Sequence, residues 1–291
     1  MILVKCKEFK DSVNRTIQFQ FENDDKTLCF AGYWEKKNYE KIISVSTQIG
    51  CRTQCALFCN VQKFVRDITV NELMYQIDFL LIHEHLDVSQ VKISMVKEGE
   101  PFDNLYIEDM VKAINERKIP YLKISSSMPY DCADKILRVF EKNASMDLEL
   151  QLQISLSSTN DEFRFKNVRR KLMTLEQISR FGNEIYEINI KNDKKYNYIT
   201  LSFTIYEESE FDVIVIKEFF DPNIFCIRIR DASNSITRGK NYTRLSESTY
   251  QKYKTEIEEL GYIFIDGRSE KLAVDNNLTI GLYQLKEVLV K

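Results

Sequence analysis

The sequence predicts an α/β fold: a partial (β/α)6 barrel with a short N-terminal β-hairpin and a C-terminal extension. Three observations carry that expectation. From residue 42 onward, strand-like and helix-like segments alternate without a break, which argues for parallel strands joined by right-handed crossover helices. The 291 residues are enough to bury a sizeable core. A closed eight-fold barrel would need about 250 residues for its repeats alone, and the hairpin and tail use up part of that length.

Each element follows from its own pattern. Residues 16–22, TIQFQFE, alternate as a strand, two aspartates make the turn, and residues 27–34 return as the second strand of the hairpin. IISVS (42–46) reads as the first parallel strand. A cysteine-bearing loop follows it, then a helix over 68–82 in which Thr69 and Glu72 are spaced as a capping box. Strand and helix then alternate: strands at 91–96, 121–125, 148–156, 198–204 and 223–230, helices at 103–117, 131–142, 174–188 and 212–220. The last strong helix is 247–261, followed by GYIFI and a tail. The expected division is a hairpin extension over 1–40, a core over 41–232, and a completing C-terminal segment over 233–291.

Composition narrows the function classes. Hydrophobic residues are 44% and charged ones 29%, a soluble globular profile, and no apolar run is long enough for a membrane span. The N-terminus is charged within five residues and has no signal-peptide core. The seven cysteines are an odd number, which suits a reducing cytoplasm better than a disulfide framework. A net charge of −3 lowers the expectation of a polyanion partner. The densest basic run, residues 166–172, reads as a solvated face.

The chemistry concentrates in Cys51, Cys55 and Cys59, three cysteines within nine residues, in a loop at the carboxyl end of the first parallel strand. In parallel β/α folds that end carries the site. Three thiolates on a short loop can hold a four-iron, four-sulfur (4Fe-4S) cluster and leave one iron open. An open iron can take the amino and carboxylate groups of S-adenosyl-L-methionine (SAM), whose reductive cleavage yields a 5′-deoxyadenosyl radical. Zinc is the main rival, since three cysteines with His83 or His85 would make an ordinary structural site. Three unrelated buried cysteines are the blander alternative. Cys6, Cys29, Cys132 and Cys226 read as small core residues.

A series of short ordered segments resembles the radical SAM superfamily, nearest to the ribosomal RNA adenosine C2/C8 methyltransferases. They are the cysteine loop entered by SVSTQIGC, ITVNELMYQI, EGEPFDN, ISSSM, ISLSSTNDEFR and the C-terminal DNNLTIGLYQL. The resemblance implies a radical-SAM-type partial barrel, with Cys51, Cys55 and Cys59 as cluster ligands and Phe58 before the last. It also implies Gly99 and Glu100 at the methionyl part of SAM, and Ser125 with Ser155, Leu156 and Ser157 at its ribose and carboxylate. A glycine lets backbone approach a ligand, and a carboxylate can face an ammonium.

Departures accompany the matches. CRTQCALFC has one residue more before its last cysteine than the family's spacing, Lys97 stands where the family's turn has a glycine, and Ser157 where it has a histidine. The family's two non-cluster cysteines, one carrying the methyl group, align with Leu282 and Ser44. Leucine is no nucleophile, so methylation by that relay is excluded. About 40 residues precede the core, where the family has a sizeable RNA-binding domain. The expectation is therefore a cytoplasmic radical SAM enzyme that abstracts hydrogen from an unidentified substrate. A small molecule or peptide is favoured over RNA, and a flavodoxin or ferredoxin would serve as electron donor. An RNA-modifying methyltransferase-like enzyme and a catalytically inactive, metal-stabilised binding protein are the alternatives.

Overall fold

The computed structural model describes residues 1–10, 14–36, 41–55, 63–195, 198–231 and 243–268. Three strands open the chain: β1 (Ile2–Lys10), β2 (Asn14–Glu22) and β3 (Leu28–Lys36), each antiparallel to the next. The expected two-stranded hairpin is thus a three-stranded wing. Its outer strand β1 is mostly exposed and carries Cys6, which is a surface residue rather than a core one.

The wing joins the parallel strands through β4 (Lys41–Val45), which pairs antiparallel with β3. The cysteine loop is entered through β5 (Gln48–Ile49) and left through β6 (Arg66–Asp67), a small separate ribbon. Then come α1 (Val70–His83), β7 (Val91–Met95), α2 (Ile107–Glu116), β8 (Tyr121–Ser126), α3 (Ala133–Asn143) and β9 (Glu149–Leu156). The series continues with α4 (Asp161–Lys166), α5 (Leu175–Lys191), β10 (Ile199–Ile205), α6 (Val213–Phe219), β11 (Phe225–Asp231), α7 (Glu247–Glu259) and β12 (Phe264–Asp266). Among the described residues ten strands make one sheet in the order β1-β2-β3-β4-β7-β8-β9-β10-β11-β12, parallel from β4 onward. Six helical crossovers join the parallel strands, as the alternation predicts, with β12 closing the series. No helix among the described residues is long and apolar enough to cross a membrane.

Alternation separates two faces of this sheet. In β9, Leu150, Leu152, Ile154 and Leu156 are buried in one continuous core with Ile136, Val139 and Ile178 of the helices. Gln151, Gln153 and Ser155 point to the opposite side, as period-2 geometry requires. The capping box of α1 forms as expected: the Glu72 amide donates to Thr69 Oγ1, and the Thr69 amide to Glu72 Oε2 at 2.9 Å. Thus the helix that follows the cysteine loop starts at a defined residue.

Candidate functional site

The cysteine loop leaves the carboxyl end of β4 through a narrow neck. Val65 donates to the Ile49 carbonyl (2.8 Å), Ile68 to that of Thr47 (3.1 Å), and Cys51 bridges to Lys63. The neck is bound along its length to the turn after β7. The Glu98 carbonyl accepts from the amides of Thr47 (2.8 Å) and Gln48 (3.2 Å), and the Glu100 amide donates to Gln48 Oε1 (3.0 Å). Asn104 Nδ2 donates to the carbonyls of both Thr47 and Ile68 (2.9 Å to the latter), while its Oδ1 accepts from the Tyr106 amide at 2.6 Å. One buried amide side chain therefore holds the entry and the exit of the loop together.

Gly99 is the residue that permits this closeness. Its φ is +109°, and a Cβ there would lie 2.7 Å from the Gln48 nitrogen and 2.8 Å from Thr47 Oγ1. A side chain would meet backbone, so the turn accepts only glycine. Glu100 follows at 3% exposure. Its Oε2 accepts from the Ser127 amide (2.8 Å) and hydroxyl (2.7 Å), and its Oε1 has no hydrogen-bond partner among the described residues. Thr47 Oγ1 is buried and likewise without a partner. Burial raises the Glu100 carboxyl above its ordinary range, opposed by the nearby Ser126 hydroxyl and by the hydrogen bonds from Ser127. A buried carboxylate with one lone oxygen is a receptor for a cationic donor such as a ligand ammonium.

Cys51 and Cys55 are thiols on this loop, Cys51 buried and Cys55 half-buried. Burial pushes the Cys51 thiol up to about 11, and the Glu100 charge adds to the rise. The amides of Thr53 and Gln54 and the Thr53 hydroxyl oppose it, and such donors would support a thiolate once a metal compensates the burial. Among the described residues no three His, Cys, Asp or Glu side chains are grouped to hold a metal. Two of the three expected ligands are described, and Cys59, with Phe58, lies outside the described residues. The thiol donors, the lone Glu100 oxygen and the glycine cradle suit a cluster with a SAM-type ligand beside it. The zinc alternative lacks its histidine: His83 ends α1 and His85 follows it, a helix length of about 20 Å from the residues that leave the neck. His83 is engaged elsewhere. It stacks on Phe79 and meets Phe19 edge-to-face, with Nδ1 2.7 Å from Glu84 Oε1.

The remaining expected site residues divide by face. Ser125 accepts from Gln153 Nε2 at 3.0 Å on the inner, polar side of β8, and Ser155 is exposed on that side of β9. The Leu156 side chain is buried in the core, leaving only its backbone available to a ligand. Ser157 is half-buried just beyond the strand. Ser44 lines a cavity on the inner face, and Leu282 with the C-terminal matching segment lies outside the described residues. The NDEFR segment is structural here: Asn160 caps α4, and the buried Arg164 pairs with Asp161.

Sequence reasoning missed Thr47, Gln48 and Asn104, because neutral residues bonding backbone carry no chemical signature. The basic run is a solvated face except at one residue. Lys166, Arg169 and Lys171 are exposed, but Arg170 turns inward to Asp103 (2.8 Å) and Asp131 (2.6 Å). Asp103 also takes Arg52, whose guanidinium lies 3.5 Å from the Phe64 ring centroid. The acid thus ties the cysteine loop to the turn and to the segment after α4.

No family model matches the chain. It is 31% identical over 167 residues to the "Dual-specificity RNA methyltransferase RlmN" of Wolinella succinogenes, covering 56% of this chain and 41% of that protein. A "Probable dual-specificity RNA methyltransferase RlmN" of Staphylococcus carnosus matches at 24% over 266 residues, 87% of this chain and 68% of that one. The chain therefore spans less than half of the first of these relatives. Among solved structures, a radical SAM methyltransferase from Sphaerobacter thermophilus superposes with a TM-score of 0.76 at 17% identity, covering 96% of this chain and 80% of that chain. The last likeness establishes the fold.

Proposed function

We propose that this chain, a radical SAM protein related to the RlmN methyltransferases, binds a 4Fe-4S cluster and SAM and abstracts hydrogen from its substrate without the methyl relay of those relatives. The observation that carries the reading is the neck: Cys51 and Cys55 are bound, through Thr47, Gln48 and Asn104, to the turn that buries Glu100. In this reading Cys51, Cys55 and Cys59 hold the cluster. Glu100 Oε1 and Thr47 Oγ1 receive the SAM ammonium, and the Gly99 backbone lies against its methionyl part. A cluster held by these cysteines would supply the one-electron reductive cleavage of SAM to methionine and a 5′-deoxyadenosyl radical, with a flavodoxin or ferredoxin as the electron donor. The chain's own residues, Thr47, Gly99 and Glu100, would hold and orient the nucleotide's methionyl end. A reducing cytoplasm suits these thiols.

The absence of a nucleophile at Leu282 supports the non-methylating outcome. Under anaerobic turnover with dithionite, the reading predicts 5′-deoxyadenosine without S-adenosylhomocysteine. Equal amounts of both products would contradict it, because methyl transfer from a second SAM releases the latter. The names of the relatives favour the second reading, RNA modification, and weigh against the small molecule or peptide expected from net charge. Comparing modified nucleosides in RNA from cells with and without the gene tests it. An unchanged profile removes RNA as substrate.

A further inference from the structure

An ion network spans the site, built from residues to which the cofactor reading gives no role. Arg52 follows Cys51 directly, and its Nη1 donates to Asp103 Oδ2 at 3.1 Å and to the Asp103 carbonyl at 3.3 Å. Asp103 is 8% exposed. Its Oδ2 also accepts from Gln48 Nε2 at 3.4 Å and pairs with Arg170 Nη1 at 2.8 Å. Arg170 in turn grips Asp131 through Nε (3.0 Å) and Nη2 (2.6 Å), the two-pronged geometry that fixes a guanidinium in place. The segment that carries Arg170 is zipped by its backbone to the turn after β8: Tyr130 donates to the Lys171 carbonyl at 3.0 Å, and Met173 to that of Met128 at 2.9 Å. The same turn supplies Ser127 to Glu100. Arg170 is therefore a fixed post, and Asp103 carries its hold across to Arg52 on the cysteine loop. The Asp103 charge also reaches the ligand-binding turn, where burial raises the Glu100 carboxyl and the Asp103 carboxylate adds to the rise. A buried acid between two cations is strongly coupled to both, and loss of one member leaves an uncompensated charge.

We propose that Asp103 is a positioning residue for the cluster: it latches the Cys51 end of the loop to Arg170 and sets the balance of charge that the cluster meets. The proposal rests on the radical SAM reading in taking Cys51 as a cluster ligand. Asp103 and Arg170 hold the same bond from opposite sides but carry opposite charges. Removing either one frees Arg52, whereas the charge left beside Cys51 differs in sign. That difference separates a latch with an electrostatic role from a contact that only adds stability.

Labelling of the metal-free full-length chain with iodoacetamide, mapped by mass spectrometry, reads the latch directly. Asp103→Asn and Arg170→Gln are each expected to label Cys51 about tenfold faster than the wild type or more. Cys29 and Cys226, buried outside the network, should keep their wild-type rates. The double variant should label Cys51 no faster than the quicker single one, since the two residues act as a unit. In the reconstituted chain the cluster's midpoint potential should rise in Asp103→Asn and fall in Arg170→Gln, because positive surroundings favour the added electron. A general loosening would move both the same way. Unchanged Cys51 labelling, equal acceleration at the control cysteines, additive effects, or potentials that move together or not at all overturn the proposal. Loss of iron uptake in the variants alone, together with faster Cys51 labelling, supports it. A wild type that takes up no iron yet shows the Cys51 pattern would sink the radical SAM reading and leave the latch standing.

Discussion

Glu100 costs the empty protein stability and repays it only when a cation arrives. Its carboxyl is raised in the folded state by burial. Below the unfolded carboxyl's pKa both states hold the proton and nothing is lost. As pH rises towards the folded value, the unfolded chain releases its proton first, and stability falls. Glu100→Gln removes that penalty while keeping an acceptor for Ser127. The variant is expected to melt about 2–4 °C above the wild type near pH 7.5 and to match it near pH 4. Its binding of SAM by the reconstituted protein should fall at least tenfold, roughly the loss of one charge-assisted hydrogen bond. Equal melting at both pH values, with SAM binding unchanged, would show that the buried carboxylate has no such role. At this level the sequence draws attention to residues whose type carries chemistry, such as the cysteines and Glu100. It was silent on Thr47, whose importance lies in an unpartnered hydroxyl.

The neck and the turn act as one unit because their bonds run between backbones and neutral side chains. Asn104 joins Thr47, Ile68 and Tyr106, and Asn104→Ala would take these bonds from the Ile68 carbonyl and the Tyr106 amide and leave the Thr47 carbonyl only the Ile68 amide. The expected cost is about 2–3 kcal/mol, read from the urea midpoint, together with substoichiometric iron after reconstitution. A variant with normal stability and full iron would mean that the loop is held elsewhere. The same distinction explains what could be read beforehand. The capping box at Thr69 and the long amphipathic helices have periodic or positional signatures. The two-residue strands β5 and β6 have none, since their pairing is set by the turn that they meet. Arg170 was hidden for a different reason: its neighbours are solvated, and only tertiary contact separates it from them.

Across the molecule, the parallel strands were legible because each is a short apolar or alternating run followed by a helix. β1 was not, because this edge strand buries no residue fully and exposes Ile2 and Val4 beside the half-buried Leu3, so its sequence shows no apolar–polar alternation. The polar inner face was visible only as alternating Gln, Ser, Lys and Arg, which in isolation reads as solvent exposure. The sheet's connectivity is what turns those residues towards one cavity. The most direct test of the account is electron paramagnetic resonance of the anaerobically reconstituted, dithionite-reduced protein, with iron and sulfide analysis, before and after SAM is added. The account predicts about four irons per chain, a reduced-cluster signal that SAM shifts, and no such signal in Cys51→Ser. Zinc in place of iron, or a cluster signal that SAM leaves unmoved, would contradict it.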